Sequence, residues 1–65
     1  MSADELMDRI ERAYAAARAA NLTIIRLELS RPEYAELCGC FGVPELRQYR
    51  CVPMVVAAEM RWVTQ

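Results

Sequence analysis

The run Leu22–Leu29, LTIIRLEL, limits what this chain can become more than any other stretch. It is the longest β-prone segment, and it lies between two segments of helical periodicity. In an extended strand Thr23, Ile25, Leu27 and Leu29 fall on one side, and Leu22, Ile24, Arg26 and Glu28 on the other. The Thr23–Leu29 side needs something laid over it, and the flanking helices are the available cover.

Both helices carry start and stop signals. Ser2 and Glu5 fit a capping box ahead of the first amphipathic run. Leu6, Ile10, Ala13, Ala17 and Ala20 then recur at helical spacing, widened by Met7 and Tyr14. Asn21 suits a left-handed stop, which predicts a helix over roughly 3–20. Ser30, Pro32 and Glu33 open a second helix in the same way. Tyr34, Leu37, Cys38 and Phe41 make its buried stripe and Gly42 ends it, predicting roughly 31–40.

Val43-Pro44 bends the chain away from helical geometry, and Glu45–Arg50 fits either one helical turn or irregular chain. Met54–Ala57 and Met60–Thr64 read as the two strands of a hairpin. The order α-β-α-β-β predicts one small α+β domain over residues 1–65. Its simplest packing is a three-stranded, mainly antiparallel sheet with both helices on one face. The other face carries Ile24, Arg26 and Glu28 plus alternate hairpin residues, and no element remains to shield it.

At 65 residues the chain buries only about 60% of the surface it exposes when unfolded. Stability is therefore expected to be marginal, or else helped by a partner, a second subunit or a metal. Net charge is −1 and the pI is 5.3, whereas a nucleic-acid-binding domain of this size is usually strongly basic. All eight positive residues are arginine; the chain has no lysine and no histidine. Lack of histidine removes the usual neutral-pH acid–base group and the commonest metal ligand. The N-terminus is acidic, without an apolar signal core, and no apolar run approaches the ~18 residues of a membrane span. A cytoplasmic protein with no membrane association is expected. Three cysteines, an odd number, point to reduced thiols.

Four groups of residues invite a functional reading. Cys38, Cys40 and Cys51, with Glu45 as a fourth ligand, offer a thiolate-rich zinc site. The C-x-C spacing is shorter than the usual C-x2-C, and cysteine also serves as a small core hydrophobe. The plain thiol is the reading preferred, with no metal and no cofactor. Paired carboxylates, Asp4 with Asp8 and Glu33 with Glu36, fall on exposed helix faces without a cleft to tune them, so no enzyme is expected. Asp4, Glu5, Asp8 and Glu11 make an acidic patch on the first helix, either an ordinary solvated face or a surface complementary to a basic protein. Arg47, Arg50 and Arg61, with Tyr49 and Trp62 nearby, converge near the hairpin and suit phosphate contact with base stacking. The same residue types dominate protein-interface hot spots, and the net charge favours a protein partner. Arg26 and Glu28 add the uncovered sheet face to these candidates.

Tyr49–Val56, YRCVPMVV, resembles the Y-R-G-x-P-hydrophobic hairpins of small phage and prophage accessory proteins, with Cys51 where that pattern has glycine. The whole chain, short, slightly acidic and lysine-free, is similar in size and character to anti-CRISPR proteins. That resemblance implies a non-enzymatic inhibitor, in a bacterial host cytoplasm, that binds a subunit of a nucleic-acid-binding interference complex. It would block DNA access by steric or electrostatic occlusion. No individual functional residue carries over from an eight-residue motif. Two other functions stand beside it: a small nucleic-acid-binding domain using surface arginines, and a homo-oligomeric phage structural or assembly protein joined through an open sheet edge or face.

Overall fold

A computed structural model describes residues 2–65. Their elements run α1 (Ala3–Ala19), β1 (Ile24–Leu29), α2 (Arg31–Phe41), β2 (Gln48–Tyr49), β3 (Val52–Val56) and β4 (Arg61–Thr64). The helix ends follow the local signals. Ser2 Oγ accepts the Glu5 amide at 3.2 Å. Asn21 takes φ +58, and the Leu22 amide donates back to the Ala17 carbonyl at 3.0 Å. Around α2 the capping box is complete: Ser30 Oγ accepts the Glu33 amide, and the Glu33 carboxylate accepts the Ser30 amide at 2.9 Å. Gly42 closes α2 at φ +67, with the Val43 amide on the Cys38 carbonyl. Each of these bonds satisfies a backbone group that the helix itself leaves unpaired.

Gly39 sits inside α2, and the space its missing Cβ would occupy is open. Gly39→Ala is expected to raise the unfolding free energy by about 0.5–1 kcal/mol, the ordinary difference between these residues in a helix. The urea midpoint should rise with an unchanged m-value; a fall would contradict the helical assignment there.

The class is α+β, but the sheet has four strands and is mixed, in the order β2-β3-β1-β4. β1 runs parallel to β3 and antiparallel to β4, while β2 pairs antiparallel with β3. The expected hairpin between residues 54–57 and 60–64 is therefore absent. Those two segments lie on either side of β1, and residues 57–60 cross its C-terminal end, where the Ala57 amide donates to the Leu29 carbonyl at 2.7 Å. Ala58-Glu59 lacks the residues that readily turn a tight hairpin, so the chain makes the wider crossing. The hairpin that does form joins β2 to β3. It draws its first strand from the Glu45–Arg50 segment, and its two-residue turn, Arg50-Cys51, has φ +54 and +62. Two left-handed residues in succession are the signature of a type I′ turn.

The pleat of β1 also departs from simple alternation. Ile24 pairs with Thr64 and Arg26 with Val63, which leaves Ile25 as one extra residue in β1. This bulge turns Ile24 towards the core with Leu27 and Leu29, and leaves Ile25 42% exposed. Ile24 thus belongs to the covered side and not to the open one.

One cluster forms the core: Leu6 and Ile10 of α1, Leu37 of α2, Leu27 and Leu29 of β1, Tyr49 and Trp62. Both helices meet the sheet on the side of Leu27, Leu29 and Trp62. Phe41, expected in the buried stripe of α2, is instead exposed at the helix end, with its ring edge towards Tyr49 at 6.4 Å between centroids. No helix of the described residues is long and apolar enough to cross a membrane.

Candidate interaction surface

The sheet face turned away from the helices is built by register. Glu28 lies beside Val55 of β3 and Arg61 of β4, and Arg26 lies beside Val63. Side chains at matched positions share a face, so Arg26, Glu28, Val55, Arg61 and Val63 form one surface. Pro53, two residues before Val55, extends it, and the bulge adds Ile25 at its rim. Val55 is 40% exposed.

A charged triad sits among these aliphatic groups. Glu28 accepts from Arg26 Nε at 3.1 Å through one carboxylate oxygen and from Arg61 Nε at 3.0 Å through the other. The Glu28 side chain is only 13% exposed, whereas those of Arg26 and Arg61 are 40% and 62% exposed. The acid is sunk beneath two arginines that ride on the surface. Burial pushes the Glu28 carboxyl up, but the hydrogen bonds and charges of Arg61 and Arg26 outweigh it and hold the group below the usual carboxylate range.

A second polar cluster ties the β2–β3 turn to α1. The Glu11 carboxylate accepts from Tyr49 Oη at 2.8 Å and from Arg50 Nε at 3.0 Å, and Arg50 Nη2 closes a second bond to it. The Arg50 guanidinium lies 4.4 Å from the centre of the Tyr14 ring, a cation–π contact. Arg50 above all, and then Tyr49, hold the Glu11 carboxyl low. Burial, followed by the hydrogen bond to Glu11 and then the Glu11 charge, pushes the Tyr49 phenol up to about 12.

Other candidates fall elsewhere. Asp4, Glu5 and Asp8 are exposed on α1, with Asp8 paired to Arg12 at 2.9 Å. Glu11 is engaged with Tyr49 and Arg50 and does not extend that acidic patch. Arg47 is exposed beside Glu45 at 3.6 Å. Arg47 and Arg50 flank β2, and Arg61 opens β4, so the expected convergence of these arginines does not occur: the two strands are opposite edges of the sheet. Tyr49 and Trp62 are core residues, and the Trp62 indole N–H donates to the Ile10 carbonyl at 2.9 Å. Cys38 is buried while Cys40 and Cys51 are exposed, and among the described residues no group of three or more potential metal ligands comes together.

Ile25, Pro53, Val55 and Val63 were not singled out from sequence as surface residues. The alternation in Met60–Thr64 marks Val63, but only the parallel pairing of β3 with β1 brings Val55 beside Glu28. No protein-family model matches the chain, and no curated protein or solved structure matches it significantly.

Three carboxylates, Glu11, Glu28 and Glu33, are held below their ordinary value of 4.5. Burial of Glu33 is outweighed by its bonds to Ser30 and by Arg9 at 3.4 Å. A group whose folded pKa is lowered adds stability above its unfolded pKa and loses it as pH falls through the folded value. Tm is therefore expected to be nearly level from pH 8 to pH 6 and to fall steadily below about pH 4.5. Replacing the three by glutamine should flatten the acid limb; an unchanged slope would mean that these pairs do not couple to folding.

Proposed function

We propose that the chain is a non-enzymatic protein-binding module that inhibits its partner by occlusion, docking through the open face of its sheet. One observation carries this reading: Ile25, Val55 and Val63 surround the Arg26–Glu28–Arg61 triad on a sheet face that neither helix covers. An apolar patch with arginines at its centre is the composition of a protein-interface hot spot. A base-stacking surface would need exposed aromatic groups beside the arginines, and Tyr49 and Trp62 lie in the core instead. The resemblance of Tyr49–Val56 to phage accessory hairpins adds the class of target, a subunit of a nucleic-acid-binding interference complex, in the manner of an anti-CRISPR protein.

Affinity capture from a bacterial lysate tests the reading with two variants beside the parent chain. Val55→Glu places a carboxylate beside Glu28 at the edge of the triad, and should abolish capture of the bound protein while leaving circular dichroism and Tm close to the parent values. Reversing Asp4 and Asp8 to arginine on α1 should leave capture intact. The opposite pattern would move the contact to the acidic helix and overturn the sheet-face reading.

A further inference from the structure

We infer that the open sheet face takes an acidic segment of a protein partner, with a partner carboxylate bound across Arg26 and Arg61. This rests on the sheet-face reading above and specifies the chemistry that the face selects. Each arginine meets Glu28 only through Nε, and among the described residues no other acceptor engages either side chain. The terminal N–H groups of two guanidiniums are therefore free to grip an incoming anion, and they are the exposed part of the triad. Such planar forks match a carboxylate and bind it with charge-assisted hydrogen bonds.

The charge balance points the same way. Two arginines and one glutamate give this face one net positive charge, in a chain whose total is −1. It is a local basic spot on an acidic molecule, suited to one or two partner carboxylates and too small for a run of phosphates. Its rim, Ile25, Val55 and Val63, is aliphatic and suits Leu or Val side chains of a peptide. Glu28 sets the strength of the site. It holds the two guanidiniums side by side and also competes with the incoming anion for them.

The probe is a synthetic peptide of alternating glutamate and leucine, compared with its glutamine–leucine counterpart and with oligothymidylate. Binding is followed by NMR shifts of the 15N-labelled chain, including the arginine Nε–H signals. The glutamate peptide should shift Arg26 and Arg61 Nε–H and the amides of Ile25, Val55 and Val63, with the glutamine peptide at least about tenfold weaker. Glu28→Gln removes the competing charge at constant shape and should tighten the glutamate peptide several-fold. A purely structural ion pair predicts no gain from that change. Combining Glu28→Gln with Arg26→Gln and Arg61→Gln leaves no unpaired buried charge and should abolish the preference for glutamate.

Equal binding of both peptides at this face overturns the acidic specificity while the sheet-face reading survives. Absence of shifts on the face with either peptide, or shifts there only with oligothymidylate, overturns the inference. If Val55→Glu also leaves lysate capture unchanged, the sheet-face reading falls separately.

Discussion

Trp62→Ala is expected to cost about 3–5 kcal/mol, the usual penalty for truncating a buried tryptophan. A domain of 65 residues has a total stability of only about 3–10 kcal/mol, so the variant should be largely unfolded or close to it at room temperature. The reason lies in how many elements the indole joins. Trp62 is buried on β4 opposite Leu27 of β1, and its N–H bonds the Ile10 carbonyl of α1 at 2.9 Å. Its ring meets Tyr14 of α1 edge-on at 5.1 Å and Tyr49 of β2 at 6.0 Å. Truncation leaves a void where α1, β1 and Tyr49 of β2 meet β4, and a chain this small has little else to close over it. Trp62→Phe keeps a ring in place and removes the indole N–H, at an expected cost nearer 1–2 kcal/mol, the scale of one lost hydrogen bond and some packing. Thermal melts followed by circular dichroism separate the two variants. A Tm drop of less than about 5 °C for Trp62→Ala would mean that the aromatic cluster is not the centre of the core.

Cys51→Gly should act in the opposite direction, stabilising the chain by about 1 kcal/mol. Cys51 holds φ +62 in the β2–β3 turn, a conformation that costs an ordinary residue energy and glycine none. Part of the gain is returned because glycine loses more freedom on folding. Arg50 takes φ +54 in the same turn, but its guanidinium is bound to Glu11 and stacked on Tyr14, so Arg50→Gly relieves the backbone and loses the anchor. Arg50→Gly is expected to give no net gain. Denaturant melts under reducing conditions would decide the comparison, and destabilisation by Cys51→Gly would contradict the left-handed turn.

The legible parts of this chain are those governed by near neighbours. Ser2, Asn21, Ser30 with Glu33, and Gly42 mark the helix ends because each cap acts within a few residues of the backbone groups it satisfies. The composition of the open sheet face was partly visible too, since Arg26 and Glu28 alternate with Leu27 and Leu29. Glu11 is the informative failure. Helical spacing groups it with Asp4 and Asp8, but it is held by Tyr49 and Arg50, 38 and 39 residues away in sequence. No local pattern encodes that partner.

Sequence by itself determined two capped helices, a β-prone centre and a sheet with one side left without cover. Tertiary structure alone decided that Leu22–Leu29 supplies a central strand, with β3 parallel on one side and β4 antiparallel on the other. It also decided that a bulge at Ile25 sends Ile24 inward. The physical reason is that caps and helical periodicity are settled by contacts a few residues apart. Strand order and bulges are settled by competition between distant segments for the same two edges of β1, and by which side chains then fill the space beneath the helices.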